Sequence, residues 1–157
     1  MELKGKTVLV TGANGLVGLP AVKKCLEEDA AKVYAVDLRF SENLNFLKGQ
    51  YQDRLELVKT DLTYLSHCED LFKLDDINIV LHIAGVKGSP ARSSTCPADY
   101  LFPMLMFNTN MIKASFDAKV DWFVYLSSVG VYKPADVMNE EDTWNQEETW
   151  ASTPSRL

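Results

Sequence analysis

Apolar positions along this chain alternate between two textures, short β-rich runs and longer stretches with helical spacing. Thr7 to Val10 is an unbroken apolar run bounded by a Gly-containing turn, the pattern of a strand buried on both faces. Lys32 to Val36, ending at Asp37, is a second buried strand, Leu55 to Lys59 a third strand, Ile77 to Ile83 a strongly apolar fourth and Trp122 to Leu126 a fifth. Between the first two runs, Val17, Ala21, Val22, Cys25 and Leu26 share one side of a helix expected from Leu16 to about Glu28. Pro20 falls in its first turns, where a missing donor does least harm. Weaker helical spacing covers Asn43 to Gln50, a mostly helical stretch runs from Leu62 to Leu74, and a long one from Ala98 to Ala118. Pro103 interrupts the last of these and is expected to kink it or start its main part. Gly85 to Pro97, rich in Gly, Ser, Pro and Thr, reads as a loop. Strands and helices alternating at this pitch imply right-handed βαβ crossovers and a doubly wound parallel sheet covered on both faces.

Length and charge narrow the reading. The 157 residues allow one ordinary domain, and 46% hydrophobic with 24% charged residues is the balance of a globular protein. Twenty-two acidic against 16 basic residues give a net charge of −6, the wrong sign for general nucleic-acid binding. Five acidic residues (Glu140, Glu141, Asp142, Glu147, Glu148) crowd 139–157 against Arg156 alone. That segment is expected to be an extended or poorly ordered acidic loop, separate from a folded domain over 1–138. Cys25, Cys68 and Cys96 are odd in number and form no CxxC pair, so reduced thiols are expected rather than a disulfide framework or a zinc site. The sequence carries neither the long apolar run of a signal peptide nor that of a membrane span, and a cytoplasmic location is expected.

The sharpest chemical signal follows the first strand. Gly12, Gly15 and Gly18 stand in the run Thr11-Gly12-Ala13-Asn14-Gly15-Leu16-Val17-Gly18, between the first strand and the first helix. Gly12 permits a tight turn, Gly15 lets the backbone approach a pyrophosphate, and Gly18 allows close helix–strand packing. The free amides and positive end of the following helix then face the phosphates. Asn14, Leu16 and Val17 complete the loop. Asp37 ends the second strand, about 20 residues on, where a carboxylate hydrogen-bonds a ribose 2′-hydroxyl. With Leu38 and Arg39 it forms the expected adenosine side of a Rossmann-like dinucleotide site. A carboxylate repels a 2′-phosphate, which favours NAD over NADP; the Arg39 guanidinium, able to accept that phosphate, keeps NADP as the alternative.

These motifs resemble the extended short-chain dehydrogenases, the NAD-dependent epimerase/dehydratase group that acts on nucleotide sugars. The spacing Gly12-x-x-Gly15-x-x-Gly18 carries the resemblance, and further segments extend it over nearly the whole chain. Asp61-Leu62 is similar to the family's pair that contacts adenine. His82-Ile83-Ala84-Gly85 is similar to the end of the fourth strand that lines the cofactor, with Lys87 just beyond it. Leu126 to Tyr132 resembles the family's Ser-Ser-x-x-Val-Tyr segment, and Cys96 to Ile112 looks most like the GDP-fucose synthase type. The resemblance implies that Ser128 hydrogen-bonds the substrate oxygen while NAD accepts or returns hydride. It implies a nucleotide-sugar substrate, and allows a homodimer through the long helix.

The family's Tyr-x-x-x-Lys pair is missing. Four positions beyond Tyr34, Tyr51, Tyr64, Tyr100, Tyr125 and Tyr132 stand Leu38, Leu55, Cys68, Met104, Val129 and Asp136. The parallel sheet is therefore read as incomplete at its C-terminal side, with no substrate domain. The competing expectation is a module that binds NAD and performs no turnover. His67 and His82 are expected to be structural, without a metal site, and Met104, Met106 and Met111 to be packing residues.

Overall fold

The computed structural model of the chain describes residues 2–127, 137 and 139–141. Five strands form one parallel sheet: β1 (Thr7–Thr11), β2 (Lys32–Asp37), β3 (Leu55–Lys59), β4 (Ile79–His82) and β5 (Trp122–Tyr125). Their order is β3-β2-β1-β4-β5, so the winding reverses between β1 and β4. Thr11 pairs with Val36 on one side and His82 on the other; Asp37 pairs with Lys59. All strand C-termini lie along one edge of the sheet because every pairing is parallel.

The helices are α1 (Gly18–Glu27), α2 (Glu42–Tyr51), α3 (Leu65–Leu71), α4 (Pro90–Thr95) and α5 (Ala98–Asp117). Val8, Val10, Val33, Ala35 and Ile79 share a buried cluster with Val22, Cys25 and Leu26 of α1 and Leu44 and Leu47 of α2. Pleating sends the intervening residues Leu9, Tyr34, Val36, Val80 and His82 to the opposite face. On that face Asn110 of α5 donates through Nδ2 to the carbonyl of Leu62 at 3.1 Å, just ahead of α3. Met111 and Ala114 of α5, with Cys68 and Leu71 of α3, are buried as well. The sheet is thus doubly wound, as the alternation of textures predicts. Arg54 closes the C-terminal end of α1, its Nη2 donating to the carbonyls of Leu26 and Ala30 at 2.8 Å each.

Two local expectations need correction. The stretch read as a loop from Gly85 to Pro97 contains α4, six residues long. Ser89 caps it, its side chain accepting from Arg92 N–H, and Pro90 stands at the start, where its fixed φ suits a helix. Composition rich in Ser and Pro marked the cap and first turn rather than the absence of a helix. Pro103 does not start α5, which runs from Ala98 to Asp117 with the proline inside it; of the two expectations for Pro103, a start to the helix is the one overturned. Its missing N–H leaves only the carbonyl of Asp99 without its usual donor.

Residues 1–85 with 106–126 form one compact unit; residues 86–105 belong to a second. Within the second, Tyr100 lies so close to Gly88 that a Cβ there would sit 2.1 Å from the phenol oxygen. The acidic stretch 142–157 lies outside the described residues. No helix among the described residues is long and apolar enough to cross a membrane.

Cys25 and Cys68 are buried, and Cys96 is exposed. Burial pushes the Cys25 thiol up to about 11 and the Cys68 thiol up to about 12, the latter reinforced by Asp61 and Glu69. Thiolates are the reactive form, so both are inert at neutral pH. Titration with dithiobis(nitrobenzoate) is expected to release rapidly only the Cys96 equivalent from native protein, with Cys25 and Cys68 reacting after denaturation.

Candidate functional site

The site is built where β1 hands the chain to α1. Gly12 takes a φ of +66°, a backbone conformation open to glycine and costly for other residues. Its position is also a close contact between the end of β1 and the segment that follows β4. A Cβ on Gly12 would lie 2.8 Å from both the Cα and the N of Ala84, beyond the end of β4. A Cβ on Gly18 would lie 2.0 Å from the Gly12 carbonyl oxygen, so helix and turn meet without room for a methyl group. Gly15 differs. Its Cβ would approach only the Gly12 oxygen, at 3.1 Å, and the residue faces outward. Internal packing therefore dictates Gly12 and Gly18 more strongly than Gly15.

The loop is pinned from β2. The Asp37 carboxylate accepts from the Asn14 N–H at 2.9 Å through one oxygen and from the Leu38 N–H at 2.8 Å through the other. Asn14 in turn accepts at Oδ1 from the Ser41 N–H at 2.8 Å, tying the loop to the start of α2. The Thr60 N–H donates to the Asp37 carbonyl, which brings Asp61 and Leu62 beside β2. The Asp61 carboxylate closes its own turn, accepting from Thr63 N at 3.0 Å and Thr63 Oγ1 at 2.7 Å. Leu38 and Arg39 are exposed, and Arg39 makes no ion pair among the described residues. Leu16 is 95% exposed and Val17 half so, at the mouth of the loop.

Below the loop, a polar chain, buried at Thr11 and His82 and exposed at Tyr125, joins three strands to α5. The Thr11 hydroxyl lies 2.8 Å from His82 Nδ1 and also accepts from the N–H groups of Ile83 at 3.1 Å and Ala84 at 3.2 Å. His82 Nε2 lies 2.9 Å from Asn108 Oδ1, and Asn108 Nδ2 donates to the Tyr125 hydroxyl at 3.3 Å. Burial depresses the His82 pKa below the ordinary imidazole range, against a smaller opposing effect of the Asn108 bond. The sequence pattern marks His82 as a structural residue and does not place Thr11, Asn108 or Tyr125 at the site. Only Thr11 carried a local signal, a hydroxyl directly before the first glycine. His67 is exposed, 3.0 Å through Nδ1 from the Asp61 carbonyl. No group of residues suited to a metal ion occurs among the described residues.

An anion would meet favourable groups here. No side chain caps the N-terminus of α1 and no acidic residue stands in its first turn, so its positive end faces outward uncompensated. The arrangement gathers Gly12, Asn14, Gly15, Gly18, Asp37, Leu38, Asp61, Leu62, Ile83 and Ala84 along one sheet edge. Gly85 is exposed with open space around it, and the exposed Lys87 belongs to the second unit. Ser128 and Tyr132 lie outside the described residues.

The sequence profile of the NAD dependent epimerase/dehydratase family matches residues 8–154. The chain belongs to that family. Among similar proteins of the family, GDP-L-fucose synthase from Sinorhizobium fredii is 26% identical over 130 residues, 83% of this chain and 35% of that protein. UDP-glucose-4-epimerase from Stenotrophomonas maltophila, solved with bound NAD and formylated UDP-arabinopyranose, superposes with a TM-score of 0.74 at 25% identity. That match covers 84% of this chain and 40% of the other. UDP-glucose 4-epimerase from Thermotoga maritima, solved with UDP-glucose, gives 0.69 at 25% identity, over 83% and 40%. The chain thus spans about two fifths of these epimerase chains and a smaller share of the synthase. The expected fold class and family both stand.

Gly12→Ala and Gly18→Ala are each expected to lower the unfolding free energy by about 1–3 kcal/mol, through strain and overpacking. Gly85→Ala, with nothing near its Cβ, is expected to stay within about 0.5 kcal/mol of the parent. Urea unfolding of the three variants measures the difference.

Proposed function

We propose that this chain is the N-terminal, cofactor-binding portion of an NAD-dependent epimerase or dehydratase acting on a nucleotide sugar. The observation that carries the reading is the meeting of loop and acid: Asp37 holds Asn14 at 2.9 Å, so phosphate-facing amides and a ribose-facing carboxylate share one rim. In this reading Gly12 to Gly18 receive the pyrophosphate, their backbone N–H groups and the uncapped end of α1 offsetting its charge. Asp37 takes the adenosine ribose hydroxyls through the lone pairs left beside its two backbone bonds. Asp61 and Leu62 border the adenine, and Ile83, Ala84 and Gly85 line the path toward the nicotinamide. Lys87 neutralises a phosphate of cofactor or substrate. When bound, NAD supplies a reversible hydride acceptor. Ser128, two residues past Leu126, is assigned the hydroxyl that hydrogen-bonds the reacting substrate oxygen. The reading includes a nucleotide-binding unit over 1–138 with an acidic extension after it, a cytoplasmic setting and a homodimer as one possible assembly.

A second reading, an NAD-binding module without turnover, is favoured by one specific observation. None of the six tyrosines is followed at the fourth position by lysine, so these residues lack a lysine-activated phenol for the proton step. Binding and turnover separate the two. Calorimetric titration with NAD is expected to show saturable binding, and conversion of UDP- and GDP-sugars by the 157-residue chain would exclude the second reading. Absence of NAD binding would overturn both. Asp37→Ser is expected to weaken NAD binding at least about tenfold, the scale of a lost charge-assisted hydrogen bond, and to narrow the gap between NAD and NADP.

A further inference from the structure

In the polar chain under the loop, the hydrogens between Thr11, His82 and Asn108 are assigned by their neighbours. Asn108 turns Nδ2 to Tyr125 and Oδ1 to the ring, so His82 Nε2 carries the hydrogen. The neutral ring then accepts at Nδ1, and the Thr11 O–H donates to it. Thr11 Oγ1 accepts from both Ile83 and Ala84, which uses both lone pairs and its only hydrogen. The hydroxyl has no further capacity. It also sits at the reversal of strand order, where Gly12 backs directly on Ala84.

A proton on Nδ1 conflicts with this arrangement. Two hydrogens would face each other between Nδ1 and Thr11, and relief requires the hydroxyl to rotate. A rotated hydroxyl gives up one lone pair to the ring, so Ile83 or Ala84 loses its acceptor at the cleft wall. The groups around the ring offer no compensation: Thr11 from β1, Phe107 and Asn108 from α5, and Phe123 and Tyr125 from β5. Tyr125 is the only titratable side chain among these described neighbours, and none is charged.

We propose that His82 is a positioning residue: its neutral ring holds the β1–β4 seam closed through Thr11, and its protonation loosens the Ile83–Ala84 wall and weakens dinucleotide binding. The proposal rests on the cofactor reading for its consequence and on the hydrogen-bond chain for its cause. The intact chain exists above the titration of the ring and is lost as pH falls through it. Because burial lowers that titration, the loss falls on the acid side of the ordinary imidazole range.

The experiment follows NAD affinity and ring protonation in the full 157-residue chain from about pH 7.5 down to about pH 4.5, a window that extends below the range in which an ordinary imidazole gains its proton. NAD affinity by calorimetry is expected to fall at least about threefold across this window, in step with the ring titration. In nitrogen-15 spectra the amides of Ile83 and Ala84 are expected to titrate together with the His82 ring nitrogens. Asn108→Asp places a carboxylate on Nε2 and is expected to move both titrations to higher pH, a change that a merely structural histidine would not produce. His82→Gln is expected to bind NAD without the pH dependence. Affinity that stays constant over the window, or Ile83 and Ala84 amides indifferent to the ring, would overturn the proposal. Failure to bind NAD at the upper pH would instead refute the cofactor reading. In that case the proposed consequence falls with it, while the amide titration still decides the clasp.

Discussion

Much of this structure depends on how closely two backbones approach at the end of a parallel sheet. Strand order reverses between β1 and β4, and crossovers leaving in opposite directions open a crevice there. Something must keep the two strands together where the ladder runs out. Here Gly12 removes the side chain that would separate them, and the Thr11 hydroxyl replaces ladder bonds by accepting from Ile83 and Ala84. With that seam closed, the carbonyl of Gly12 lies where Gly18 must pass, and the direction of α1 is set by contact rather than by a cap. The absence of a cap and the outward face of Gly15 then follow from the same geometry. The helix end is open to a ligand because the loop is held from behind.

A second constraint acts from the side. Asp37 and Asn14 form a relay in which each functional group also carries structure. The carboxylate fixes the Asn14 amide, and the Asn14 carboxamide fixes Ser41 at the entry to α2. Groups held by hydrogen bonds before a ligand arrives lose less entropy on binding. The cost is that such residues cannot be replaced for one role without disturbing the other. Gly12, Asn14 and Asp37 are therefore poor sites for reading a purely functional effect from a single substitution, and stability and binding have to be measured together.

The parts legible in the sequence were those written in local repetition. Val8, Leu9 and Val10, like Val33 to Val36, are buried on both faces, so their unbroken apolar runs announced central parallel strands. The glycine spacing marked the turn because backbone geometry, not side-chain chemistry, selects glycine at φ +66°. What escaped was carried by distant partners. Thr11 and His82 are 71 residues apart, and His82 and Asn108 are 26 apart, and no period links them. A histidine ending an apolar strand reads as a core residue on either account. The helix α4 escaped for a different reason: Ser and Pro serve both loops and helix starts, and six residues are too few to show a period. Ser128, named through the family resemblance, falls outside the described residues.

The proposed preference for NAD over NADP illustrates how the two constraints combine. A carboxylate at the end of β2 is ordinarily argued to exclude a 2′-phosphate by charge alone. In this structure each Asp37 oxygen already accepts a backbone N–H, one of them from the phosphate loop itself. Displacing the carboxylate to admit a phosphate would therefore free the Asn14 amide and, through Asn14, the entry of α2. Arg39, exposed one residue beyond Leu38, could neutralise the added charge, but it cannot replace a hydrogen-bond acceptor, since a guanidinium has none. In the proposed NAD reading, preference for a free 2′-hydroxyl rests on the hydrogen-bond inventory of the loop as much as on repulsion, and adding positive charge nearby would not by itself reverse it.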